Sequence, residues 1–226
     1  MPGSALTPAT VGPLLAASRY DPAILPQLEA YVEAQCASGS YDSEANMAAL
    51  KLYQFHPEEL KAPIVAKILV KALMNLPSTD FLSCTYLVPE RVLDEAPIST
   101  LCAAANLLER CSFRQFWETL QPLRAEECLA KTPGFDVAIR KFVLATFALT
   151  YQSVPTAHCK ASLGLPDDAA LAALVKEQGW EVSGDLVKIS LNANNQPRPK
   201  QVDAAEAMST PQMTRVLAAV ASASLA

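Results

Sequence analysis

The side chains best suited to chemistry in this sequence are six cysteines (Cys36, Cys84, Cys102, Cys111, Cys128 and Cys159) and two histidines, His56 and His158. A thiol nucleophile needs a base within hydrogen-bond reach, usually delivered from elsewhere in the fold. Only His158 and Cys159 adjoin, and neighbours on a helix point about 100° apart, so they do not face each other. Structural zinc sites draw on short-spaced ligand pairs. The cysteine spacings here are 48, 18, 9, 17 and 31 residues, and no CxxC occurs. Neither GxxxxGK[ST] nor GxGxxG is present, so nothing prepares a phosphate cradle. The expectation is a chain that is not an enzyme, with no catalytic residue, no metal and no cofactor. Its thiols are expected to behave as small apolar residues.

Composition narrows the class. Half the residues are apolar (51%), only seven are glycine, and the net charge is −5. That charge divides as −5 over residues 1–132, +1 over 133–200 and −1 over 201–226. No segment is a basic block, which argues against strong phosphate-driven binding. The N-terminus has no basic segment followed by an apolar run, and no apolar stretch is long enough to span a bilayer. Unpaired thiols and no membrane segment point to a reducing compartment, the cytoplasm, with nuclear presence left open.

Residues 1–20 read as a flexible N-terminus followed by a short helix over Val11–Ser18. From residue 21 to 132 apolar residues recur at helical spacing. Ile24, Leu25, Leu28, Tyr31, Val32 and Cys36 share a stripe that Ser38-Gly39-Ser40 ends. Asp42 caps the next helix and Pro57 stops it. Residues 58–76 put Ile64, Val65, Ile68, Leu69, Ala72, Leu73 and Leu76 inward and Lys61, Lys67 and Lys71 toward water. Ser78 or Thr79 caps a segment through Val88, and helices follow over Ile98–Arg110 and Phe113–Leu120. Phe113, Phe116 and Trp117 read as core rings. Short antiparallel helices joined by short loops predict a right-handed, HEAT-like helical-repeat domain over 21–132, without a strict sequence period.

The pattern changes over 133–191. A helix from about Phe135 to Tyr151 and a shorter one over Pro155–Leu163 lead to a third, started by Asp167 or Asp168 and stopped at Gly179. Trp180–Val182 and Leu186–Leu191 then form a β-hairpin around Ser183-Gly184-Asp185. This is a winged-helix domain. Its third helix, 167–178, carries Asp167, Asp168, Lys176 and Glu177, a net charge of −2, and offers no arginine for base edges. Protein docking is favoured over nucleic-acid reading on charge grounds, although Arg198 and Lys200 are placed to graze RNA. Residues 192–226 read as a linker, Asn192–Gln201, and a C-terminal helix opened by Thr210-Pro211. Its stripe is Met213, Val216, Leu217 and Val220, at i, i+3, i+4 and i+7. It either packs on its own domain or docks into a partner bundle. The candidate partner-binding residues are therefore Leu186, Lys188 and Ser190, on the outer hairpin strand as an edge or a face, and Met213, Val216, Leu217 and Val220 on the helix.

Four stretches carry a closer resemblance: YDSEANMAALKLYQFHP (41–57), LVKALMNLPSTDF (69–81), LLERCSFRQFW (107–117) and GFDVAIRKFV (134–143). In sequence, order and spacing they resemble the subunit k family of eukaryotic translation initiation factor 3, a PCI-type family, over roughly 20–191. The resemblance implies a non-catalytic structural subunit of that factor, supporting its assembly on the small (40S) ribosomal subunit. It also implies pairing with subunit l, mainly through winged helices, proximity to subunit e, and a C-terminal helix able to join a multi-subunit bundle. The alternatives are a PCI subunit of the proteasome lid or signalosome, and a free nucleic-acid-binding winged-helix protein.

Overall fold

Helix ends follow the residues that start and stop helices. The computed structural model describes residues 6–196 and 208–223. Helices α1 (Pro8–Ser18), α2 (Leu25–Ser38), α3 (Ser43–Phe55) and α4 (Ala62–Met74) open the chain. Gly39 ends α2 at φ 75°, a left-handed conformation that glycine adopts without a Cβ clash. The Asp42 carboxylate accepts the Ala45 N–H at 3.0 Å and so caps α3. Between α2 and α3 the buried Gln35 amide donates to Asn46 Oδ1 at 2.9 Å and accepts the Asp42 N–H at 2.9 Å. A satisfied buried amide pair of this kind fixes the register of two helices.

The repeat half continues with α5 (Asp80–Thr85), α6 (Glu90–Leu93), α7 (Ile98–Glu109), α8 (Phe113–Leu120) and α9 (Glu127–Ala130). Helix α4 is its centre. Every residue from Ile64 to Leu73 is buried, and α2, α5, α7 and α9 pack around it. A helix that is apolar nearly all round belongs inside.

That position overturns part of the sequence reading. Lys67 and Lys71 were expected to face water with Lys61, but they are 1% and 2% exposed, and only Lys61 keeps an exposed side chain. Lys67 Nζ donates to Glu33 Oε1 at 2.5 Å and to Glu127 Oε1 at 2.9 Å. Burial alone would lower its pKa, yet these two carboxylates raise it. Lys71 has no hydrogen bond or ion pair among the described residues, and burial lowers its pKa, with the Cys36 thiol a smaller opposing influence.

The second half is α10 (Phe135–Thr150), β1 (Ser153–Pro155), α11 (Thr156–Leu163), α12 (Asp168–Glu177), β2 (Glu181–Ser183) and β3 (Leu186–Lys188). The expected hairpin is β2–β3, antiparallel, with Val182 opposite Val187. A third strand, β1, joins it, and the sheet order is β1-β3-β2. The mainly helical class with a small antiparallel sheet is the one expected. One contiguous apolar core runs from Val11 in α1 to Ile189 beyond β3, and α10 also packs on α4. A last helix, α13 (Thr210–Ala223), follows.

Candidate docking surfaces

Register decides which face of the sheet is free. Val154, Val187 and Val182 lie opposite one another across the three strands. Side chains alternate along a strand, so Val187 and Ile189 point inward and Leu186, Lys188 and Ser190 outward. Val187 is fully buried and Ile189 nearly so, whereas Leu186, Lys188 and Ser190 are all exposed. The three predicted docking residues therefore share one solvent-facing surface. The edge alternative does not hold. β3 is the central strand, bonded on both sides, and ends at Lys188 rather than Leu191. The free edges belong to β1 and β2. Strand β1 escaped the sequence reading because Ser-Val-Pro is too short to show alternation and ends in a residue that disfavours strands.

The stop between α12 and β2 is local. Gly179 sits at φ 67°, and Trp180 N–H returns to Val175 O at 2.9 Å. Helix α12 turns Leu171 and Val175 inward and leaves Asp167, Asp168, Lys176 and Glu177 exposed. The acidic outer surface expected of this helix is therefore in place. A phosphate backbone would meet carboxylates there. Arg198 and Lys200, the residues placed to graze RNA, lie outside the described residues.

The segment read as linker is ordered at its start. Asn192 Nδ2 donates to Ala148 O at 2.7 Å, and Asn195 Nδ2 donates to Tyr151 O at 3.1 Å and Ser190 O at 3.0 Å. Gln152 Nε2 donates to Asn195 O at 2.7 Å. Asparagines satisfy neighbouring backbone groups in this way at turns. The chain thus leaves the winged helix from the C-terminal end of α10. Beyond it, the stripe of α13 is open. Met213, Val216, Leu217 and Val220 are 49–64% exposed. Of the two readings weighed for this helix, packing on its own domain is not what the structure has.

An interface between the two halves was not legible in the sequence. Trp117 on α8 donates its Nε1–H to Ser162 O at 2.9 Å, and the Arg140 guanidinium from α10 lies 5.5 Å from its ring centroid. Arg140 Nε also donates to Leu163 O at 3.0 Å. Gly164 stands against the indole, and a Cβ there would meet Trp117 Cδ2 at 2.6 Å. The expected core rings Phe113, Phe116 and Trp117 are all buried.

The thiols and imidazoles do not converge. Cys159 is fully buried and burial pushes its pKa up to about 11, while His158 is exposed and stacks on Phe147 with centroids 6.3 Å apart. Cys84 is pushed up to about 12, again by burial. A thiol held protonated is a poor nucleophile. Among the described residues no group of three His, Cys, Asp or Glu is placed to hold a metal ion, and no helix is long and apolar enough to cross a membrane.

Helical repeats that run into a winged helix through a shared core are the architecture of PCI-type subunits of large assemblies. Comparison with known proteins gives the family. The chain belongs to the CSN8/PSMD8/EIF3K family, whose pattern it matches over residues 59–201. It is 41% identical to "Eukaryotic translation initiation factor 3 subunit K" of Bombyx mori over 177 residues, 78% of this chain and 80% of that protein. The proteins of the same name from Homo sapiens and Danio rerio are 37% and 36% identical, covering 84% and 86% of this chain and 88% of each relative.

Proposed function

We propose that this chain is a non-catalytic structural subunit of eukaryotic translation initiation factor 3, acting by protein–protein docking during assembly on the small ribosomal subunit in the cytoplasm. Likeness to subunit K proteins across most of both chains carries this reading. It favours the initiation factor over the proteasome lid and the signalosome, because the relatives named above are initiation-factor subunits. The repeat part, 21–132, and the winged-helix part, 133–191, act as one body. Residues 192–226 extend the reach of that body.

The finer reading pairs the chain with subunit l through the outer sheet face of Leu186, Lys188 and Ser190. Subunit e lies nearby, and the α13 stripe enters a helical bundle. Exposed apolar residues on a helix tethered by a polar linker support the last point, since such a helix is marginal alone and is stabilised by a partner surface. The acidic outer surface of α12 supports docking to protein over direct RNA reading.

The test is affinity purification of the tagged full chain carrying Leu186→Asp and Lys188→Glu together. Both side chains are exposed, so helical content should stay unchanged while recovery of subunit l falls. Undiminished recovery overturns the sheet-face assignment. Purification of the unsubstituted chain without any initiation-factor subunit overturns the functional reading itself.

A further inference from the structure

Helix α10 is apolar on two opposite sides. Phe135, Ile139, Val143, Leu144 and Phe147 are buried against the core. Residues two positions away lie about 200° round the helix, on the side that a surface helix ordinarily fills with charge. Here that side carries Val137, Lys141, Ala145 and Leu149, all exposed, with Val137 at 68% and Leu149 at 52%. Their four-residue spacing makes one ridge, the form that seats in the groove of a second helix, and Ala145 is its low point, where a second backbone comes closest. At the N-terminal end the ridge runs into a cavity of about 270 Å³ walled by Leu120, Leu129, Phe135 and Val137. The Arg124–Asp136 ion pair, at 3.2 Å, also lines it. The one charge on the ridge, Lys141, has no hydrogen bond or ion pair among the described residues.

We infer that this ridge is covered by an amphipathic helix of a neighbouring protein, with an acidic side chain facing Lys141 and a large apolar side chain seated in the cavity. Lys141 selects this occupant. An ammonium enclosed among Val137, Ala145 and Leu149 is costly unless paired, so whatever covers the ridge supplies a carboxylate. A second copy of this chain does not, because two-fold pairing of the ridge with itself brings in two Lys141 ammoniums and no acid. The α13 stripe of this chain does not either, since Arg215 is the one charged residue of that helix. RNA is disfavoured as well, because a single lysine among apolar side chains offers no track for phosphates. The cavity serves as the anchor point, where one large side chain in a desolvated pocket carries much of the binding energy. The ridge is separate from the outer sheet face and from α13. Such a contact presupposes the reading of the chain as a subunit of an assembly, and fixes the chemistry of one neighbour.

The experiment places a photo-crosslinking p-benzoylphenylalanine at Leu149 in the full chain and irradiates the assembled complex recovered from cells. The expected adduct is on one neighbouring protein, in a helical segment that carries an aspartate or glutamate. Its yield should fall about tenfold in Lys141→Glu, the loss that goes with turning an interfacial ion pair into a repulsion, and stay unchanged in the control Lys176→Glu on α12. Lys141 is exposed, so helical content should not change. Replacing the partner's acid with lysine should restore the yield in Lys141→Glu. The absence of an adduct overturns the proposal, as does an adduct to RNA, to a second copy, to this chain itself or to a segment without an acid. A yield indifferent to Lys141→Glu, or not restored by the reversed partner, overturns it equally. Co-purification is scored before irradiation. Missing initiation-factor subunits then refute the functional reading, while the adduct still tests the ridge in whatever assembly the chain enters.

Discussion

Replacing Gly164 with alanine should be among the most damaging single-methyl changes available in this chain. Two costs add. Gly164 has φ 59°, where an L-residue with a Cβ is disfavoured by roughly 1–2 kcal/mol. The new methyl would also lie 2.6 to 2.8 Å from three atoms of the Trp117 ring. That ring cannot easily retreat. It is hydrogen-bonded to Ser162 O, covered by Arg140, and packed edge-on against Phe116 with centroids 5.0 Å apart. Forcing a methyl into such packing costs about 1–3 kcal/mol, so the total is about 2–5 kcal/mol. The comparison that isolates the clash is Gly179→Ala. Gly179 has φ 67° but no atom within 4 Å of its Cβ position, so it should lose only the backbone part. The assay is chemical denaturation of the full chain, followed by circular dichroism and by fluorescence in a Trp180→Phe background. Trp117 and Trp180 are the two tryptophans, so that background leaves Trp117 as the reporter. If Gly164→Ala and Gly179→Ala shift the midpoint equally, the indole is not clamped and the inter-half lock described above is wrong.

Other positions give independent expectations. Hydrogen bonds from Lys131 and Lys67 hold the Glu127 carboxyl at about 2, below its ordinary 4.5. The stability it contributes is therefore present above pH 4.5 and lost as pH falls toward 2, and Glu127→Gln should flatten the acid limb of a stability–pH curve over that window. Lys71→Met should raise the thermal midpoint at neutral pH, because it removes a buried ammonium that lacks an ionic partner among the described residues. Its advantage should shrink at alkaline pH, where the wild-type amine loses its proton in the folded state before the unfolded one; a lower midpoint would refute this. Leu217→Gln with Val220→Gln should leave the unfolding free energy within about 0.5 kcal/mol of wild type per substitution, since both residues are exposed. The same pair should reduce recovery of partner subunits in affinity purification, and undiminished recovery would remove the α13 assignment.

What the sequence disclosed was local. Apolar stripes at helical spacing, Asp42 before α3, Gly39 after α2 and Gly179 before the hairpin each act within a few residues, and each placed its element correctly. What it hid was set by residues far apart in the chain. Lys67 and Lys71 stand four apart on α4, a spacing that ordinarily marks a wet face. They are buried because α2 and α9 close over them, and the acids that pair Lys67 lie 34 and 60 positions away. Trp117 looked like one core ring among three, yet its hydrogen bond reaches 45 positions to Ser162. Strand β1 has three residues and exists because β3 offers it a bonding edge. The outer sheet face of Leu186, Lys188 and Ser190 was legible because strand alternation is local. The edge assigned to the same strand failed because strand order is not.

These hidden contacts share a consequence for function. A docking subunit contributes position rather than chemistry, so its surfaces are useful only if they are held in a fixed relation. Two clamps do this here. Lys67 on α4 pairs with Glu33 on α2 and with Glu127 on α9, the helix that leads from the repeats to the winged helix, and the Trp117–Ser162–Arg140 contact fastens α8 to the helices that carry the sheet. The lysine is buried while its two carboxylates are half exposed, so removing the acids would leave a buried ammonium without its partners, which is costly. Specificity of arrangement is the better explanation for a lysine at that position. It follows that substitutions at the clamps, none of which lies on a face proposed for docking, should loosen the subunit from its assembly by blurring the relation between its faces.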